Sequence, residues 1–181
     1  TLITNSADTD STDLTSIVFN SGIDSTYKLY IFKYFDINPA TDDVDFSFQV
    51  NATDQSGYDN ALITSTFFRA YHYESEPGSD NEAVDYKTEH DLAESTSFQP
   101  LVMDVGNGAD ECCAGTLFLF NPSNTTYVKH FYAITQNYNP GNISLNAFVG
   151  GYINDTTAID DIQFKMESGN FDGTIKLYGV G

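Results

Sequence analysis

The sequence predicts an all-β fold, an antiparallel β-sandwich of jelly-roll or concanavalin-like type. Three observations carry that reading. Apolar runs rich in β-branched and aromatic residues alternate with short turn clusters along most of the chain. Several runs alternate with period two, the spacing of a strand. The acids are 19 Asp against seven Glu, and Asp favours turns and caps over helix interiors. At 181 residues the chain is one domain by size. Surface scaling gives it a folded area of roughly 8,700 Å² and burial of about 70% of the unfolded surface. With 14 Phe and 12 Tyr, it has the apolar material for a core without metal or disulfide staples.

Residues 1–13, TLITNSADTDSTD, lack a periodic apolar face and read as an extended N-terminal arm, with 14–181 as a single sandwich domain. In 27–37, Tyr27, Leu29, Ile31, Lys33, Phe35 and Ile37 point one way; Lys28, Tyr30, Phe32 and Tyr34 point the other. Rings on both faces predict a central strand covered on both sides. In 44–50, Val44, Phe46, Phe48 and Val50 alternate with Asp45, Ser47 and Gln49, which predicts a half-exposed strand. Further strands are expected at 61–73, 98–104, 115–120, 126–135, 145–153, 158–166 and 173–179. Segments dense in Gly, Pro, Asn, Asp and Ser separate them. Residues 85–96 read as a short helical turn. The turn at 168–173 reads as a hairpin joining the last two strands, with Ile162, Phe164 and Met166 on one apolar face and Ile175 and Leu177 on another.

Seven Lys and Arg against 26 Asp and Glu leave a net charge of −19. Phosphate recognition needs a cationic face, which Arg69 and six scattered lysines do not supply, so neither nucleic acid nor an anionic membrane surface is an expected partner. No stretch approaches 18 apolar residues, so no membrane insertion is expected.

The residues that carry chemistry form no recognisable constellation. His72, His90 and His130 lack metal-ligand spacing and read as structural or surface histidines. Cys112 and Cys113 are adjacent and read as small residues at the start of a strand. No GxSxG elbow marks a nucleophile. Asp42-Asp43 and Asp160-Asp161 would alternate direction if extended, so they read as solvated turn acids rather than a catalytic dyad. The expectation is therefore no enzyme, no catalytic residue and no cofactor. DTDSTD (8–13) fails the EF-hand pattern, and SEPGSDNE (75–82) or NGADE (107–111) are the places an oxygen-lined structural calcium would suit. Asn51, Asn124, Asn142 and Asn154 begin Asn-x-Ser/Thr triplets and read as turn formers. Tyr58, Tyr73, Tyr138 and Tyr152, in or beside loops, are the candidate ligand-contact aromatics.

Segments 21–50, 120–133 and 151–180 carry an ordered set of motifs. Ile23, Ser25, Thr26, Tyr27, Tyr30 and Phe32 form the first. Ile162, Phe164, Gly169, Asn170, Gly173, Thr174, Ile175, Lys176, Leu177, Tyr178 and Gly179 form the last. The arrangement resembles a family of small virion structural proteins of tailed bacteriophages, especially marine phages of cyanobacteria. That resemblance covers most of 14–181. It implies a sandwich displayed on the particle exterior as a capsid decoration, head-fibre or tail-fibre module, and it implies no catalytic residues. A receptor-binding module that engages host surface glycans is the alternative. The expected partners are other virion proteins and the chain itself as a homotrimer, in which ring contacts or a cation must offset the repulsion between acidic copies. Thr1, Leu2, Ile3 and Thr4 can extend as a strand onto an open sheet edge of a neighbour, with Asp8–Asp13 as the connector.

Overall fold

The computed structural model describes residues 1–5, 14–75 and 82–181. Among them the runs become twelve strands: β1 (Leu2–Asn5), β2 (Ile17–Phe19), β3 (Leu29–Pro39), β4 (Val44–Ala52), β5 (Ile63–Tyr73), β6 (Glu82–Tyr86), β7 (Gln99–Val105), β8 (Cys113–Phe120), β9 (Lys129–Asn139), β10 (Ile143–Ile153), β11 (Ile159–Met166) and β12 (Phe171–Val180). All pairings are antiparallel. An eight-stranded sheet runs β1-β12-β3-β8-β9-β10-β5-β6, and a four-stranded sheet runs β2-β11-β4-β7. The fold is an antiparallel β-sandwich, and no described residue is helical.

The core lies between the sheets and is dominated by rings. Phe32 and Tyr34 on β3 and Phe131 on β9 face Phe19 on β2, Phe46 and Phe48 on β4, and Phe164 on β11, with centroid separations of 5.1–6.4 Å. Edge-to-face and tilted geometries predominate, as the ring quadrupole favours. All these rings are buried.

The structure corrects four expectations. β3 is covered on one face only: Tyr30, Phe32 and Tyr34 are buried, while Lys33 and Phe35 are exposed. A bulge at Asp36, whose φ is 52°, then turns Ile37 onto the buried face with Tyr34. The strand 44–50 is not half-exposed. Ser47, Gln49 and Asn51 on its second face are buried as well, because loops 53–61 and 87–98 fold over that side. Gln49 Nε2 donates to the carbonyls of Ala61, Thr96 and Ser97 at 3.0–3.2 Å.

Residues 85–96 form no helix. Their first two residues end β6, and the rest run as a strap beside β5. Lys87 N donates to Phe67 O, Ser65 N to Leu92 O, and Ile63 and Ser95 exchange two bonds. With few apolar positions to pack a helix, the backbone is satisfied by the open edge of β5. Finally, 168–173 is not a hairpin, since β11 and β12 belong to different sheets. The turn is an arch between layers, so the two apolar faces meet across the core instead of lying side by side. Gly173, at φ 128°, allows the close approach of the Asp36 bulge: an added Cβ would sit 2.9 Å from Asp36 O.

The beginning of the chain also finds a place. β1 adds to β12 at the edge of the chain's own sheet, with Leu2 opposite Tyr178 and the Thr1 ammonium donating to Gly179 O at 2.8 Å. The strand addition that Ile3 and Thr4 favour is thus made within the chain. The connector Asp8–Asp13 and most of 75–82 lie outside the described residues.

Candidate functional site

The outer face of the eight-stranded sheet carries the most distinctive surface. On β9, Phe131, Ala133 and Thr135 point inward, and Tyr132 and Ile134 point out. The inner face of the β9–β10 pair mixes small Ala133 and Ala147 with Phe131, Leu145 and Val149. Register then sets out two rows. Phe118, Tyr132, Gly150 and Thr66 follow one another across β8, β9, β10 and β5; Thr116, Ile134, Phe148, Phe68 and Tyr86 make the next row, which reaches β6.

The rings pair along these rows. Phe118 stacks on Tyr132 at 4.5 Å and Phe68 on Phe148 at 4.9 Å with a 6° interplanar angle. Tyr132 and Phe68 remain 41% exposed and Ile134 40%, so none of the described residues covers the belt. In its middle lies an open groove of about 240 Å³ lined by Thr66, Phe68, Tyr132, Ile134, Phe148 and Gly150. Gly150 is its floor: an added Cβ would meet nothing closer than Tyr132 Cβ at 3.9 Å. Toward the far end of the same strands, Asn146 donates to Gln136 Oε1 and Gln136 to Ser144 Oγ, at 3.1 and 3.0 Å. Apolar rings flanked by amides suit a ligand that has both apolar faces and hydroxyls.

The four loop tyrosines are not brought together. Tyr152 and Tyr138 lie on this outer face at opposite ends of the β9–β10 pair, opposite His130 and Ser144. The Tyr138 hydroxyl donates to Asn142 Oδ1 at 2.9 Å. Tyr73 shares the inner face of β5 with Tyr71. Tyr58 sits against the other sheet, where burial and the carboxylates of Asp161 and Asp160 push its phenol up to about 12. The mid-strand rings Phe68, Phe118, Tyr132 and Phe148 were missed because an alternating run does not say which face is buried. Volume gave no usable signal, because the outward set of 130–134 is as bulky and apolar as a buried one.

Other reactive groups are placed as structural elements. Cys113 is buried at the start of β8 and Cys112 half-buried before it. Burial raises both thiols, Cys113 strongly, which disfavours the thiolate. His72 Nε2 lies 3.2 Å from Glu82 at the surface. In NGADE, Glu111 Oε2 accepts from Gly108 N at 2.7 Å, which ties up that carboxylate within its own turn. Among the described residues no three His, Cys, Asp or Glu side chains converge as metal ligands. Lys129 is fully buried, with Nζ donating to Asp155 O at 3.0 Å and Thr157 O at 2.5 Å. Burial lowers its pKa.

His90 pins the strap to the four-stranded sheet. Its Nε2 lies 3.2 Å from Asp45 on β4, and its ring packs on Phe67 at 5.3 Å. Burial opposes the charged ring, but the Asp45 hydrogen bond and the fields of Asp45, Glu89 and Asp104 prevail and raise its pKa. A base held above its unfolded value near 6.5 contributes stability that is complete below that value and is lost as pH rises through the folded one. The thermal midpoint should therefore fall by a few degrees from about pH 6 to pH 8, and His90→Gln should flatten that slope. An unchanged slope in the variant would assign the pH dependence to the acidic surface alone.

Comparison with known protein families, curated proteins and solved structures finds no match for this chain.

Proposed function

We propose that this chain is a non-enzymatic structural protein of a tailed-bacteriophage virion, displayed on the particle exterior as a capsid decoration or fibre module. The uncovered outer face of the eight-stranded sheet carries this reading. A rigid face with stacked rings, on a fold whose core is complete without it, is suited to contact with another surface. The motifs of 21–50, 120–133 and 151–180 support the phage assignment, and the two-sheet sandwich is the architecture they imply. A charge of −19 suits display on a particle exterior, where it keeps particles dispersed and keeps the protein off packaged DNA. Association as a homotrimer through apolar ring contacts is part of this reading. Localisation in purified particles is the test. The chain should co-purify at fixed stoichiometry and be accessible to antibody on intact virions; absence from particles would overturn it.

The groove over Gly150 favours a second reading, a receptor-binding module for host surface glycans. Sugar rings stack on aromatic faces while their hydroxyls seek amides, and the Asn146–Gln136 pair follows the Phe148–Ile134 pair along the same face. A glycan array with the purified chain should then show specific binding. Gly150→Leu, whose Cβ would meet nothing closer than 3.9 Å, puts side-chain volume on the floor and should weaken that binding at least about tenfold, a loss of roughly 1.4 kcal/mol. Its thermal midpoint should be unchanged or higher, since Gly weakens a strand. Equal binding by the variant would place the ligand elsewhere.

A further inference from the structure

A second feature lies on the other sheet, where the sequence places two adjacent acids. Ile159 and Ile162 are both buried although three residues apart, a spacing that an unbroken strand cannot bury on one face. The strand resolves this with a bulge: Ile159 pairs with Ala52 and Asp161 with Asn51, which leaves Asp160 as the extra residue. Both carboxylates therefore point away from the core on the same side. That reverses the expectation that Asp160 and Asp161 diverge.

Asn51 stands directly opposite Asp161, and Gln55 follows in the turn closed by Gln55 N donating to Ala52 O. Asn51 Nδ2 lies 3.5 Å from Asp161 Oδ2 and 3.5 Å from Gln55 O, so the amide head sits within the cluster. Asn51 is only 9% exposed. Yet Asn51 Oδ1, Gln55 Oε1, Asp160 Oδ1 and Asp161 Oδ1 are all buried and accept no hydrogen bond from the described residues. These four shielded oxygens, two of them on carboxylates, accept from no donor among the described residues, although Asn51 Nδ2 reaches the other oxygen of Asp161 and Gln55 Nε2 donates to Asp155 Oδ2 at 3.1 Å. Neither carboxylate forms an ion pair among the described residues, and the Lys129 ammonium of β9 is engaged by two carbonyls of the segment before β11. An uncompensated pair of this kind is costly.

We propose that Asn51, Gln55, Asp160 and Asp161 form a binding site for a hard divalent cation of the calcium type, linking the β11 bulge to the turn after β4. The donors are all oxygen, which disfavours zinc or copper. Two carboxylates and two neutral amides, completed by water, suit the six to eight oxygens that calcium accepts better than the compact octahedron magnesium demands. The cation neutralises the two charges that the fold forces together. This site is distinct from 75–82 and 107–111, the segments that composition alone suggests.

The test uses the full chain, stripped with chelator and titrated with calcium or magnesium chloride at constant ionic strength. At a hundredfold excess over the dissociation constant, calcium should raise the thermal midpoint by about 5 °C or more, with a smaller effect from magnesium. The double variant Asp160→Asn, Asp161→Asn should melt higher than the stripped wild type, because repulsion is removed, and should lose the calcium-dependent rise. Terbium supplies a second readout. Its luminescence should be sensitised through the nearby Tyr58 and should collapse in Tyr58→Phe, while that variant keeps its calcium response. No calcium effect beyond that of matched magnesium, or an equal rise in the double Asn variant, would overturn the proposal and assign the four oxygens to buried water.

Discussion

Phe164→Ala should lower stability by about 4–5 kcal/mol, close to the lower bound of a whole domain's stability. Phe164 is fully buried on β11, and its ring lies 5.4 Å from Phe32, 6.0 Å from Phe46, 6.3 Å from Phe19 and 6.4 Å from Phe48. It therefore contacts both sheets and pairs with four of the six other rings of the central cluster. Truncation removes the transfer free energy of the ring, leaves a cavity that rigid strands cannot collapse, and deletes four ring pairs at once. At this chain length the midpoint should drop by about 10 °C or more. Tyr132→Ala on the outer face serves as the control and should cost about 1 kcal/mol or less. Thermal or urea unfolding of both variants decides the matter. Equal losses would mean that the inner and outer faces of the sheet are misassigned.

Gly115→Val should be nearly as severe for the opposite reason, excess volume. Gly115 pairs with Tyr34 across β3 and β8. An added Cβ would overlap the Ile134 carbonyl oxygen and lie 2.7 Å from the Tyr34 ring and hydroxyl. The obstacle on one side is backbone, which cannot step aside. On the other side, Tyr34 is completely buried and shares a hydrogen bond with the Thr135 hydroxyl. Displacing the ring strands two polar groups in the core at about 1–3 kcal/mol, added to a packing strain of similar size. A loss of about 4 kcal/mol is expected, read as a fall in soluble yield and midpoint. A midpoint within about 3 °C of wild type, equivalent to roughly 1 kcal/mol, would show that β8 and β3 separate more readily than the pairing implies.

Both residues mark how far the sequence is legible. Phe164 lies in a run whose buried set, Ile162, Phe164 and Met166, follows from period two alone. Gly115 does not: nothing in GTLFLF shows that a tyrosine from β3 will need its side-chain space. The same division holds at the surface. Tyr58, Tyr73, Tyr138 and Tyr152 stand out because loops flank them, whereas Phe68, Phe118, Tyr132 and Phe148 read as core until the sheet shows one face uncovered. The bulges were legible in part. Tyr34 and Ile37, like Ile159 and Ile162, are apolar pairs three residues apart, and only an extra residue between them lets a strand bury both.

What the sequence by itself determined is the material of this protein: strands rather than helices, one sandwich core dense with rings, a heavily acidic surface and turns at nearly every strand end. These follow from local preferences and from counts, which need no partner to be read. The tertiary structure alone decided which face is inside on strands with apolar residues on both sides, that β11 and β12 are joined by an arch between sheets, that β1 completes its own sheet, and that Asp160 and Asp161 lie side by side opposite Asn51. The reason is physical. Alternation specifies two faces but not their environments, and a turn specifies a reversal but not its plane. Both are settled only when strands distant in sequence compete for the same hydrogen bonds and the same buried volume.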